Sequence, residues 1–157
     1  MSSTSTVEEF WQECRSAVPG LPEAAPEAWA FGATASQADD LLALVLSGTK
    51  TATASSLWDY EHIGEPLPES GWLNIILDGR GVPSALVETI AVDVVPFDEV
   101  SEAHAFKEGE GDRSLSSWRE IHERYWREHS ESPRGFAPDM PVVCEELRLL
   151  HAKEGSA

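Results

Sequence analysis

Three runs carry strand patterning, at residues 72–77, 84–95 and 142–150, and they are unevenly spaced along the chain. The first two lie close together along the chain. A long segment separates them from the third, and its period is helical: Leu115, Trp118, Ile121, His122 and Tyr125 recur at helix spacing over about Leu115–Glu128. A shorter helix is expected near 99–107, with a glycine-broken loop at 108–112. A sheet whose last strand returns after a helical insert is an α+β arrangement, with helices flanking one sheet.

Before the strands, Ser36 reads as a helix N-cap, with Asp39 and Asp40 in the first turn and the leucine-rich run 41–46 behind them. Gly48 is placed to end that helix in a left-handed conformation. Residues 51–57 then enter a strand, and 59–71, with two glycines and two prolines, form a loop. Upstream, 7–17 is a short helix with Phe10, Trp11, Cys14 and Val18 on one side. A proline-rich wrap over 19–26 follows, pinned by Trp29 and Phe31. The polar ends 1–6 and 152–157 are expected to fray. The chain therefore divides into an N-terminal helix and wrap (1–28), a main domain (29–151) and a tail (152–157).

Charge narrows the function. Lys and Arg number 11 against 28 Asp plus Glu, a formal net charge of −17. Broad binding to a nucleic-acid backbone needs many cationic contacts, so duplex binding is not expected. A nucleoside-sized ligand or a short single-stranded segment remains compatible. No apolar run is long enough to span a membrane, and the first residues lack a secretory pattern. Two cysteines, Cys14 and Cys144, suggest buried small hydrophobes in a reduced, cytoplasmic protein.

Against that acidic background Lys50, one of three lysines, stands just past a helix end and three residues before Thr53. A desolvated lysine can take the proton of a hydroxyl nucleophile. A surface lysine beside an ordinary strand threonine is the competing explanation, since short motifs recur by chance. The run Glu108–Ser114 (EGEGDRS) alternates carboxylates with glycines. Glu108, Glu110 and Asp112 can hold a hard cation, or Glu108 can act as acid or base while Arg113 holds an anion. A solvated acidic loop, with Asp112 or Ser114 capping the next helix, explains the run equally well. In the strands, period-two alternation puts Glu88 with Leu86, Ile90, Val92 and Val94, and Glu145 with Val143, Leu147 and Leu149. A carboxylate on an apolar face needs a partner or a shifted pKa, so Glu88 and Glu145 are candidate pocket residues. Trp58 is the candidate surface for stacking a base.

The segments FGATASQADDLLALVLSGTKTATASSL, EPLPESGWLNIILDGRGVPSALVETIAVDVVPFDEV, EGEGDRSLSSWREIHERYW and MPVVCEELRLL together resemble the activating signal cointegrator homology (ASCH) domain family, in particular its bacterial single-domain members. The resemblance runs in order over roughly 29–150. It implies a PUA-like small β-barrel with flanking helices and a cleft, and a role in binding or acting on RNA. A bacterial relative hydrolyses N4-acetylcytidine with a Lys-x-x-Thr pair and a glutamate. By position these are Lys50, Thr53 and Glu108, the last because Asp98, His104 and Ala105 match the stretch before the relative's glutamate. Another relative is described as a ribonuclease. Where the relative's motif continues Thr-x-Arg, this chain has Ser55, leaving Arg113 as a substitute anion contact.

The resemblance implies first a hydrolase of N4-acylated cytidine or a similar modified nucleoside. Thr53 is then the nucleophile, Lys50 its base and Glu108 the proton donor to the leaving amine. Gly48, Trp58, Glu88, Arg113 and Glu145 are the candidate ligand contacts. No cofactor is expected for this chemistry. The alternatives are an RNA-binding module or ribonuclease, in which a divalent metal can take part, and a non-catalytic sensor of a small ligand.

Overall fold

The computed structural model describes residues 7–153; of the ends expected to fray, 1–6 and 152–157, residues 1–6 and 154–157 lie outside these. Five strands form one sheet in the order β1-β3-β4-β5-β2. These are β1 (Ala28–Trp29), β2 (Ala52–Ser56), β3 (Leu73–Leu77), β4 (Pro83–Pro96) and β5 (Pro141–Ala152). Five α-helices accompany them: α1 (Val7–Ala17), α2 (Ala35–Leu46), α3 (Leu57–Ile63), α4 (Glu102–Glu108) and α5 (Leu115–His129). The α+β class is as expected, with the helical insert between β4 and β5.

The small closed barrel is not formed. β1 pairs only with β3, in parallel, and β2 only with β5, antiparallel, so the sheet stays open with β1 and β2 at its edges. Closure would require these edges to meet. β1 offers only two residues, and the β2 side receives the end of α4, where the Thr51 N–H donates to the Lys107 carbonyl at 2.7 Å.

The two faces carry different cores. Phe97, Val100, Ala105, Trp118, Trp126, Met140, Val142 and Cys144 pack together on one face, under α4 and α5. The same face continues toward α1, where Phe10, Trp11 and Cys14 bury Ile75 and Leu86. On the opposite face α2 places Leu42 and Val45 against Ile76, Ala85, Val87 and Leu147, with Phe31 completing the cluster. Burying both faces is what makes β4 and β5 apolar along much of their length.

Several boundaries differ from the sequence reading. The α2 N-cap is Thr34, whose hydroxyl accepts from the Gln37 N–H at 3.1 Å, so Asp39 and Asp40 fall beyond the first turn. Asp39 instead accepts from the Gly79 N–H at 2.7 Å. Gly48 follows the cap residue Ser47 with φ +83°, the left-handed end that was expected. Residues 59–63, read as loop, and Leu57, read as the strand's end, belong to α3, which ends at left-handed Gly64. Ser114, one of the two candidates, caps α5 by accepting from the Ser117 N–H. Ala152, assigned to the tail, belongs to β5 and pairs with Ala85.

Candidate functional site

Lys50 is 2 % exposed at the β2 edge of the sheet, between the two cores. Its ammonium lies 5.4 Å from the centre of the Phe31 ring on the α2 side. It donates to the Ala52 carbonyl at 3.0 Å and to Glu110 Oε2 at 2.9 Å, and the Glu108 carbonyl lies at 3.5 Å. An ammonium has three N–H donors, and these contacts occupy them. Glu108 Oε1 lies 3.6 Å away and adds the charge of a second carboxylate.

Glu108, the last residue of α4, is fully buried. His104 Nε2 is 2.6 Å from Oε2, Trp118 Nε1–H donates to the same oxygen at 2.7 Å, and His122 Nε2 is 3.1 Å from Oε1. His122 Nδ1 donates to the Trp118 carbonyl at 2.8 Å. With a carbonyl on one ring nitrogen and a carboxylate on the other, both nitrogens of His122 are donors, which is the imidazolium form. Burial works against charge on both groups, and their mutual attraction outweighs it. His122, His104 and Lys50 hold the Glu108 carboxyl well below its usual range, and Glu108 raises His122. The indole of Trp118 stacks on the His122 ring, centroids 4.3 Å apart, and fixes it from the side.

Glycine makes this approach possible. Gly109 caps α4 at φ +75°, and a Cβ there would lie 2.7 Å from the Thr49 carbonyl oxygen. The chain therefore passes tightly over the 49–51 turn and delivers Glu110 to Lys50.

Thr53 lies half-buried on β2, three residues from Lys50, in register with Glu145 of β5. Directly paired residues share a face, so both point to the α2 side with Ser55. Lys50 makes no hydrogen bond to Thr53. Glu145 is 5 % exposed, and its Oε1 accepts from the Thr89 hydroxyl at 3.2 Å. Burial raises its carboxyl pKa, an effect only partly offset by Thr89.

The other candidates occupy different places. Glu88 is ion-paired with Arg148 across β4 and β5. Two register shifts interrupt the β4–β5 ladder: Leu150 of β5 is passed over opposite Leu86 and Val87, and Ile90 of β4 is passed over between Thr89 and Ala91. Beyond Ile90 the alternation is reversed, so Val92 and Val94 leave the Glu88 face for the one Thr89 shares with Glu145, and Ile90 and Val94 are exposed. The Arg113 guanidinium bonds the Phe106 and Thr49 carbonyls and stacks on the Phe106 ring at 3.7 Å, bracing the 109–113 loop. Trp58 packs on the α5 side, with the Arg134 guanidinium 3.9 Å from its ring centre. Gly48 acts through its backbone at the end of α2.

The loop carboxylates do not converge as a set. Asp112 is exposed and accepts from the Ser114 N–H. Glu108, Glu110 and His122 do come together, with one ligand atom from each within 4.8 Å of the others. This trio suits a cation poorly. The Lys50 ammonium already lies against both carboxylates, and His122 spends its Nε2 on Glu108. Cys14 and Cys144 are free and buried, and burial pushes both thiols up to about 12, which removes them as nucleophiles.

Sequence reasoning missed His104, Trp118 and His122 as a group around Glu108, and Thr89 beside Glu145. Asn74 is buried and accepts from the Trp29 Nε1–H at 3.0 Å. The signal for the first group was the i, i+4 pair His104/Glu108, with Trp118 and His122 one helical turn apart. The second group rests on a strand register that no local pattern reveals.

Comparison with known proteins agrees with this architecture. The ASCH domain family model matches residues 27–151. A crystal structure of a protein from Enterococcus faecalis is 38% identical, with a TM-score of 0.82, covering 91% of this chain and 86% of that one. The ASCH domain from Lactobacillus crispatus is 30% identical, with a TM-score of 0.80, covering 95% of this chain and 99% of that one. No curated protein matches the chain. None of the helices among the described residues is long and apolar enough to cross a membrane. The family model spans most of the chain, and the sheet order, the helical insert and the Lys50 turn lie within it: the chain belongs to the ASCH domain family.

Proposed function

We propose that the protein hydrolyses N4-acylated cytidine or a similar modified nucleoside at the β2 edge, with Thr53 as nucleophile and Lys50 as its proton partner. The observation that carries this reading is a buried lysine on an acidic chain, held by two carboxylates and three residues from a strand threonine. A structural lysine needs neither Glu108's shell of histidines and tryptophan nor a rim carboxylate at 2.9 Å.

The proton path follows from the contacts. As an ammonium, Lys50 has no lone pair, so it must first pass a proton to Glu110, its half-buried partner. The neutral amine then takes the Thr53 hydroxyl proton as the oxygen bonds the acyl carbon. The same proton returns to the departing exocyclic nitrogen as the C–N bond breaks, and water releases the acyl group from threonine. Glu108 is sealed from solvent, so in this reading it anchors Lys50, and Lys50 supplies the leaving-amine proton. That shifts the role expected for Glu108 from donor to positioning residue.

The test is chromatographic. Wild-type protein and Lys50→Met, which retains side-chain bulk, are incubated with N4-acetylcytidine and other N-acyl nucleosides, with and without a chelator. Cytidine release that ignores the chelator and disappears in Lys50→Met is the expected result. No turnover across the panel, or turnover abolished by the chelator, would overturn the reading. The second outcome favours the metal-assisted ribonuclease alternative.

A further inference from the structure

The mechanism above leaves one buried acid unused. Glu145 lies on the α2 face, 5 % exposed, while the rest of the lysine cluster gathers around Glu108 and the α4 end. Only one of its two carboxyl oxygens has a hydrogen-bond partner, the Thr89 hydroxyl on Oε1. The second oxygen is not among the fully sealed, unpartnered side-chain atoms of the described residues, so it is not wholly closed off. A carboxyl so deeply placed with an unused oxygen is costly unless something meets it. Thr53 stands directly opposite it in the β2–β5 register. Half-buried Tyr60 lies near enough for Glu145 to act electrostatically on its phenol.

We propose that Glu145 is the specificity-determining residue of the Thr53 site, recognising a heterocycle that presents a ring-nitrogen acceptor beside an exocyclic N–H donor, as cytosine does. This rests on the nucleoside-hydrolase reading and names what selects its substrate. A carboxylic acid carries one donor and one acceptor side by side, and so does that edge of the base. Thr89 donates to Oε1, which fixes that oxygen as the acceptor and leaves the other to carry the proton. Oε1 has a second lone pair for the substrate's N–H, and the protonated oxygen donates to the ring nitrogen. An N4-acyl group retains one N–H on this edge, and its carbonyl carbon hangs from the nitrogen that Glu145 engages. The register partner Thr53 stands opposite Glu145 on the same face, as the proposed nucleophile.

Burial favours the neutral acid, in keeping with this hydrogen-bond pattern. Thr89 on β4 and Thr53 on β2 are uncharged. Tyr60 on α3 is the titratable group electrostatically linked to Glu145, and Glu65 and Glu27 act on that phenol in turn. Burial, only partly offset by the Thr89 hydrogen bond, is what favours the neutral form of Glu145.

Binding of cytidine, N4-acetylcytidine and 3-methylcytidine is measured by calorimetry as a function of pH for wild type, Glu145→Gln and Glu145→Ala. Glutamine offers the same donor and acceptor without titrating. The expected results are a loss of at least about tenfold in affinity for Glu145→Ala, near wild-type affinity for Glu145→Gln, and rejection of 3-methylcytidine, whose ring nitrogen is blocked. Wild-type affinity should fall as pH rises, and the glutamine variant should not follow it. Wild-type binding by Glu145→Ala, binding by Glu145→Gln as weak as by alanine, or equal binding of 3-methylcytidine would each overturn the inference. If those results accompany intact Lys50-dependent hydrolysis, the inference alone fails. If wild type neither binds nor hydrolyses these nucleosides, the nucleoside reading fails with it.

Discussion

A single carboxylate, Glu108, collects His104, Trp118, His122 and the charge of Lys50. Removing one partner of a buried, paired group strands the others, at a cost of about 3–5 kcal/mol. Glu108→Ala is therefore expected to lower unfolding stability by about that amount in a denaturant titration. The pH dependence has two limbs. Glu108 is depressed from its usual 4.5, so its contribution is present above that value and is lost as pH falls through the lowered one. His122 is raised from 6.5, so its contribution is present below that value and is lost as pH rises through the raised one. The melting temperature should be highest where both are charged, between these usual values, and Glu108→Gln should flatten both limbs. A wild-type profile with no decline on either side would contradict the pairing. At this scale the sequence made Lys50, Thr53 and Glu108 visible through motif position. Trp118 and His122 were legible only as helix-stripe residues and His104 only through the resemblance, because their convergence depends on how α4 and α5 cross.

Among the elements, the α4 end decides the site's geometry. Gly109 must adopt φ +75° with no Cβ, since the Thr49 carbonyl occupies that space. Gly109→Ala combines a left-handed strain with a backbone clash, each worth about 1–3 kcal/mol. It should lower the denaturation midpoint and weaken the Lys50–Glu110 contact, reducing turnover as well. A variant with unchanged midpoint and activity would show that the loop has room to give. The strand runs, α1 and α5 were readable because apolar periodicity is strong where an element is buried on one side. α3 was hidden in a stretch rich in glycine and proline. The grouping of Glu88 with Val92 and Val94 depended on unbroken alternation in β4, and the bulge at Ile90 turns those valines to the face that Thr89 shares with Glu145. A bulge adds a residue without changing composition, so alternation alone does not reveal it.

Across the whole molecule, the open sheet keeps two separate cores and lets their shared β2 edge hold the charged cluster. A barrel was expected from the family resemblance, and pairing at the edges is a property of the whole sheet that no segment encodes alone. The net charge of −17 makes a long polyanion an unfavourable partner, whereas a neutral nucleoside meets no such repulsion. Charge thus favours the small substrate of the proposed reading over a long polyanion. The central claim is that the Thr53 hydroxyl performs the chemistry, and turnover of N4-acetylcytidine by wild type, Thr53→Ser and Thr53→Ala tests it most directly. Serine preserves the hydroxyl and should keep measurable turnover, while alanine should lose about 10³-fold or more with its fold intact. Wild-type turnover by Thr53→Ala would contradict the account.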